Sequence, residues 1–308
     1  MRTTARSRAA AITCLSLLMT LLCAHTWAVE PNNAAIFTMK PDGSDVRLFV
    51  ALPGKIWNGS PSYSPNGKRV AFDASMQVKG GSASHVFVTR VDSPLEMADD
   101  LGLGNCPTWS PDGTKLLFDV QRGNPANAKV GIWIMNADGT DRRWFCAGER
   151  GRWSPDGTRV AISARDDGPS LYIVTPRFRK RILSEEFDHI IGATWSPDGN
   201  QLVFIGQRDD QGVLATISAK GEEGSYAKRW EGRIGWHPSW SPDGKQILLW
   251  VKDETGASRL NLIDVAGTEG PQEIPGQRVC SYNSDATWSP DGARIIFTSN
   301  RAVEDANP

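Results

Sequence analysis

The 308-residue chain is 40% hydrophobic and 22% charged, with 34 Lys plus Arg against 35 Asp plus Glu and a formal charge of -1. That is apolar enough for a sizeable core and too evenly charged for a disordered segment, and it lacks the basic excess that nucleic-acid binders set against phosphate. The 30 Gly and 19 Pro follow neither a Gly-X-Y period nor a Pro-rich tract, which excludes collagen and linker readings, while the 12 Trp ask for a structural reason.

The first element in chain order is a leader. Arg2, Arg6 and Arg8 precede an apolar stretch from Ala9 to Ala24 that ends in Thr26-Trp27-Ala28, the pattern of a secretory signal peptide spanning 1–28 and cleaved after Ala28. The stretch is shorter than the roughly 20 residues that cross a bilayer, so no transmembrane segment is expected. Leu22 stands where a small residue precedes a lipidated cysteine, which argues against an anchor on Cys23. Cleavage leaves Cys106, Cys146 and Cys280 in a compartment that permits disulfides, and three thiols allow one bridge or none. With no C-x-x-C and no zinc-type cluster, neither a redox role nor a cofactor is expected.

Ala34 to Val50 (AAIFTMKPDGSDVRLFV) reads as a hairpin. A tetrapeptide then recurs, as Ser64-Pro65-Asn66-Gly67 and as S-P-D-G beginning at Ser110, Ser154, Ser196, Ser241 and Ser289, at spacings of 46, 44, 42, 45 and 48 residues. A period of this size marks a propeller or solenoid. Pro presets φ for the first corner of a type I turn, Asp suits the second, and Gly supplies the left-handed exit, so each copy is a hairpin turn. Trp109, Trp153, Trp195, Trp240 and Trp288 directly precede five of the turn serines, and Tyr63 precedes the sixth.

Each turn leads into an apolar triplet: Val70-Ala71-Phe72, Leu116-Leu117-Phe118, Val160-Ala161-Ile162, Leu202-Val203-Phe204, Ile247-Leu248-Leu249 and Ile295-Ile296-Phe297. A strand apolar on both faces must be covered on both, as when blades pack between neighbours. A second hairpin lies between turns, clearest from Val130 to Cys146, giving four strands per unit. In blades three, four and five its Asp-Gly turn is replaced by other sequence, such as Pro176 to Arg181 (PRFRKR), a basic run read as a solvated turn. The last unit, Trp288 to Arg301, has only a first hairpin, so the halves at the two ends complete one blade. The expectation is an all-β, six-bladed propeller of four-stranded antiparallel blades over 29–308, a single domain and a monomer.

The WSPDG turn, the apolar strand after it, and a strand such as GIWIM (Gly131 to Met135) running into an Asp-Gly turn resemble the TolB-like propeller repeat family across the mature chain. The resemblance implies a periplasmic or secreted, non-catalytic propeller that binds a protein, peptide or glycan in the bacterial cell envelope. Family members carry a further domain, N-terminal in TolB of the Tol-Pal system and hydrolytic in prolyl-oligopeptidase-like enzymes. Only Val29 to Asn33 separate the leader from the first strand, so the propeller is expected without the N-terminal domain, and no G-x-S-x-G nucleophile elbow is found.

All S-P-D-G turns must lie on one face and the irregular loops on the other, where binding residues collect. Alignment on the turn serine places Ser60, Cys106, Arg150, Gly192, His237 and Asp285 at one position, four residues before it, ringing the channel mouth. Aromatic platforms and hydrogen-bonding groups fall nearby. The expected binding residues are Trp57, Asn58, Asn105, Arg150, Arg152, His189, Trp236, His237, Tyr282 and Asp285, with no catalytic residue and no metal. Segments after the triplets, including Asp73 and Asp119, read as solvated acidic turns without the spacing of a calcium loop. The alternative is a metal-assisted polysaccharide lyase or hydrolase using the loop-face histidines His85, His189 and His237, as some propeller lyases do, although no H-E-x-x-H pair fixes their geometry.

Overall fold

In a computed structural model that describes residues 34–301 other than 79–80, 95–97, 122–128, 167, 185–186, 210, 221–225 and 278–281, every regular element described is a strand. The expected leader, its expected cleavage site and Cys280 lie outside the described residues. In chain order, β1 (Ala35–Met39) and β2 (Arg47–Val50) come first. Blade 1 follows as β3 (Trp57–Tyr63), β4 (Arg69–Val78), β5 (Gly81–Arg90) and β6 (Asp99–Leu103), and blade 2 as β7 (Asn105–Trp109), β8 (Lys115–Val120), β9 (Gly131–Asn136) and β10 (Arg143–Cys146). Blade 3 comprises β11 (Glu149–Trp153), β12 (Val160–Ala164), β13 (Ser170–Val174) and β14 (Arg179–Ser184); blade 4 comprises β15 (His189–Trp195), β16 (Gln201–Arg208), β17 (Gln211–Ser218) and β18 (Tyr226–Gly232). Blade 5 has β19 (Ser239–Trp240), β20 (Gln246–Lys252), β21 (Ser258–Asp264) and β22 (Gln272–Glu273), after which come β23 (Asn283–Trp288) and β24 (Ile295–Ser299).

Blade 6 is the composite expected from the chain ends, in the order β2-β1-β24-β23. Strand β1 runs antiparallel to β24, from Ala35 opposite Ser299 to Met39 opposite Ile295. Arg294 clamps this seam: its guanidinium donates to the Asp45 carboxylate at 2.8 Å and to the Thr38 hydroxyl at 2.9 Å.

The turn tetrapeptide is locked by its own side chains. In all six copies the Ser hydroxyl donates to the Asp (in blade 1, Asn66) Oδ1 at 2.5–2.8 Å and accepts the backbone N–H five residues on at 2.9–3.0 Å. Asn66 serves as well as Asp because only an acceptor oxygen is needed. The turn glycines have φ of 68° to 72°, a region closed to most side chains. Each of them faces the turn proline of the preceding blade, and the pairs Gly113–Pro65, Gly157–Pro111, Gly199–Pro155, Gly244–Pro197, Gly292–Pro242 and Gly67–Pro290 complete a circuit. Replacing Ser110 by Ala removes the hydroxyl's hydrogen bonds to Asp112 and to the Lys115 backbone and leaves the Lys115 N–H without its partner, so thermal unfolding should show a loss of about 1–2 kcal/mol.

The core is six clusters, one per interface between blades, rather than one. Within each apolar triplet the outer two residues face the preceding blade and the middle one the next: Val70 and Phe72 pack with Ile296 of blade 6, and Ala71 with Leu116 and Phe118 of blade 2. The same alternation recurs around the ring. This accounts for apolar residues on both faces of those strands. The Trp before each turn spans the same interfaces. Trp109, Trp195 and Trp240 donate their indole N–H to the carbonyls of Ser62, Arg152 and Thr194, each in the innermost strand of the preceding blade, at 3.0–3.2 Å. Arg69 and Arg159 stack on Trp109 and Trp195 from the preceding blade, 4.6 and 4.5 Å from the ring centres, a cation–π contact that a Tyr or Phe would weaken.

Candidate functional site

The innermost strands carry one bend at the same place in every blade. Ser60, Cys106, Arg150, Gly192, His237 and Asp285 all adopt left-handed φ, between 47° and 70°, and where the ladder spans this residue its register shifts across it. Left-handed non-glycine residues are uncommon, and bulges of this kind re-aim side chains. Here the bulges present six unlike groups at the axis of the ring.

Two buried carboxylates support the bulges. Asp119 Oδ2 accepts the backbone N–H of Arg150 at 2.8 Å, and Asp73 faces the Ser60 hydroxyl, the Cys106 backbone N–H and the Asn105 side chain. Both aspartates lie inside strands, β8 and β4, and are 2% and 4% exposed, which corrects the expectation of solvated acidic turns. The strand continues past the apolar triplet because the next blade brings a backbone N–H that needs an acceptor there. Burial pushes both carboxyls up to about 6.

Four of the six bulge side chains join Arg150 in a chain of contacts around the axis. Asp285 Oδ1 lies 2.7 Å from His237 Nδ1, and His237 Nε2 meets Arg150 Nη1. The same Nη1 is 3.7 Å from Cys106 Sγ, which lies 3.5 Å from Ser60 Oγ. Gly192 stands between blades 3 and 5 in the ring, and a Cβ there would come within 2.7 Å of the His237 backbone nitrogen. Its missing side chain leaves room for the His237 backbone and the Pro238 ring of blade 5. Burial, then the Arg150 charge, push His237 down to about 4, so at neutral pH the imidazole is uncharged. It donates from Nδ1 to Asp285 and accepts at Nε2 from Arg150, the tautomer both contacts require. Burial would raise Asp285, but the His237 hydrogen bond and the Arg150 charge hold it below the usual carboxylate range. Burial pushes the Cys106 thiol up to about 12, so it is protonated and a poor nucleophile. Cys106 and Cys146 are both free.

A second tier lies two residues nearer the turns: Ser62, Thr108, Arg152, Thr194, Ser239 and Thr287. Five hydroxyls and one arginine line a cavity of about 220 Å³ together with Ser60, His237, Asp285 and, where the cavity reaches the turn face, Pro155. Counting two residues back from each turn serine would have found this tier in the sequence. The count at four residues stopped short of it.

The remaining expected residues divide. Trp236 carries the Arg150 guanidinium over its ring at 4.9 Å. Tyr282 packs edge-on to Trp57 at 5.8 Å and tilted against Trp250 at 6.2 Å. Asn58 is buried and holds backbone, donating to the Ala34 carbonyl at 2.9 Å and accepting the Leu52 N–H at 3.3 Å. Asn105 begins β7 beside Asp73, and Arg152 belongs to the deeper tier. The histidines do not converge. His85 pairs with Asp100 across β5 and β6 at 2.9 Å, His237 sits in the axial network, and His189, at the start of β15, shares neither set of contacts. Among the described residues no three His, Cys, Asp or Glu side chains gather as metal ligands, and no helix is long and apolar enough to cross a membrane.

Fold and axis together define a six-bladed propeller with Trp-Ser-Pro-Asp-Gly turns and a polar central channel. The chain belongs to the TolB beta propeller domain family, whose pattern matches residues 28–235. It is 23% identical over 216 residues to the Tol-Pal system protein TolB of Francisella tularensis subsp. mediasiatica, a match covering 68% of this chain and 48% of that protein, so the chain spans about half the length of such curated relatives. Among solved structures, a TolB candidate from Agrobacterium tumefaciens superposes with a TM-score of 0.69 at 19% identity, covering 86% of this chain and 97% of the other. An oligogalacturonate lyase in complex with manganese superposes with a TM-score of 0.54 at 16% identity, covering 75% of this chain and 72% of its own. At these identities the structural likenesses bear on the fold alone.

Proposed function

We propose that the protein is exported to the bacterial cell envelope and acts there as a non-catalytic propeller that binds a protein or peptide partner at the loop-side mouth of its channel. The family and the naming of its relatives as Tol-Pal system proteins support the envelope role. The observation that carries the site is the Arg150–Trp236 stack beside the axial network. Partly exposed Trp, Tyr and Arg are the residue types that dominate binding energy at interfaces, and the Trp57–Tyr282 pair supplies a second aromatic surface. The lyase alternative would need the three histidines to share a metal, and their separate partners do not favour it.

Trp236→Ala tests the reading, because the indole touches Arg150 from outside the blade interfaces. Tol-Pal components of the source organism, presented as purified proteins, are the first partners to assay. Their affinity should fall at least tenfold while the melting temperature stays within about 2 °C, since one partly exposed ring contributes little to folding. Undiminished binding by the variant would place the partner elsewhere, and metal bound near stoichiometrically to the purified protein would favour the enzyme.

A further inference from the structure

We infer that the turn-side half of the channel is a binding site for a small oxyanion, a carboxylate or phosphate group, held by Arg152 and the hydroxyls at its level. The site is separate from the partner surface proposed above. Its cavity is lined from Ser60, His237 and Asp285 to Pro155, and neither Trp57, Trp236 nor Tyr282 contributes to the wall.

One blade breaks a repeated pattern. At the position two residues before the turn, five blades carry a hydroxyl, and blade 3 carries Arg152. All six side chains line the cavity and are partly buried. Arg150 and Asp285 are linked through the neutral His237, so their charges offset one another. Arg152 is the lining charge left over. Its Nη1 donates to the neighbouring Gly151 carbonyl at 3.1 Å, and no carboxylate among the described residues forms an ion pair with it. Asp119 and Asp285 act on it only through longer-range attraction. A guanidinium offers five N–H donors in a planar fork that matches carboxylate and phosphate oxygens, and the Gly151 carbonyl is the one acceptor Arg152 meets among the described residues.

The hydroxyls complete the set. Ser239 and Thr287 share one hydrogen bond at 3.2 Å, and Thr194 leans toward the Gly192 carbonyl at 3.5 Å. Ser62 and Thr108 have no side-chain partner among the described residues. Each can turn its O–H toward an anion beside Arg152, as hydroxyls rotate freely to donate. A cation would meet the Arg152 charge, and about 220 Å³ is below the range of drug-sized pockets, which leaves room for one carboxylate or phosphate group with a few waters.

The test is titration calorimetry of the whole protein at low ionic strength with sodium acetate, sodium glutarate and inorganic phosphate, against sodium chloride as control. One saturable site is expected, and whether the carboxylates or phosphate fill it identifies the source of the oxyanion. Arg152→Ser completes the ring of hydroxyls without adding bulk and should weaken binding at least tenfold. Thr108→Val keeps the shape, removes one donor, and should weaken it a few-fold, which keeps the test usable should Arg152→Ser fold poorly. Trp236→Ala should bind the ions like the unaltered protein, so failure here and failure of the partner reading are told apart. Heats no larger than those of chloride for all three ions, or equal affinities for Arg152→Ser and the unaltered protein, would overturn the site.

Discussion

A chain lacking residues 34–50 should aggregate instead of folding, as light scattering and thermal unfolding will show. Those residues supply two of the four strands of blade 6. Their loss strips the partner from Ile295–Ser299 along its whole length and leaves an unpaired apolar edge, the template on which chains associate. It also empties parts of two interfaces: Phe37 and Met39 pack with Leu248 and Phe297, and Ile36, Phe49 and Val50 pack with Val70 and Phe72. Each buried side chain of this size contributes about 1.5–3 kcal/mol, so five of them approach the whole stability of a typical domain, about 5–15 kcal/mol. Phe37→Ala alone should cost about 3–5 kcal/mol. A truncated protein that stayed monomeric and melted cooperatively would show that the ring does not depend on the seam between its ends.

That seam was readable in the sequence because the features defining it are local. Pro fixes one torsion, Gly permits another, and a triplet apolar on both faces states that it has neighbours on both. What the sequence concealed depends on the adjacent blade. Asp73 and Asp119 looked like the ends of strands because a carboxylate after three apolar residues normally meets water. Their acceptor oxygens serve backbone N–H groups that come from the next blade, some thirty residues on. Counting from the turn serine placed Arg150, His237 and Asp285 at one level, yet the contact of Arg150 with His237 joins residues 87 positions apart and depends on how the ring brings blades 3 and 5 together. Asn58 shared the level of the binding residues, but its amide holds the start of β1 and the approach to β3. The basic run Pro176 to Arg181 is a turn only as far as Phe178, because Arg179, Lys180 and Arg181 pair with Val174, Ile173 and Tyr172 as the start of β14; Pro176 to Lys180 are exposed, while the Arg179 side chain folds back to Asp166 at 2.7 Å and onto the Tyr172 ring.

The same buried carboxylates set the second expected result: stability should decline as pH rises from about 4 to 7, and Asp119→Asn should flatten that decline. With native values near 6 against 3.8 for an ordinary aspartate, Asp73 and Asp119 keep protons in the folded chain that the unfolded chain has already released. The native state therefore binds more protons across this window, and stability falls as pH rises through it. One unit corresponds to about 1.4 kcal/mol, so each carboxyl lowers stability by roughly 3 kcal/mol once ionised. His237 acts in the opposite sense. It is neutral in the folded chain down to about 4, while an unfolded imidazole is charged below about 6.5, so its contribution rises with pH and offsets about one of the two carboxyls. The turn aspartates Asp156 and Asp198, held near 2 by their Ser hydroxyls and backbone N–H groups, contribute only lower down, their stabilisation being lost as pH falls from about 4 toward 2. Asn at position 119 keeps an oxygen for the Arg150 N–H and cannot ionise. Urea unfolding should find the variant more stable than the unaltered protein by about 1–3 kcal/mol at pH 7 and nearly equal to it at pH 4.5. A variant weakened equally at both pH values would mean instead that the Asp119 charge supports the arginines of blade 3, and that its burial costs the fold little.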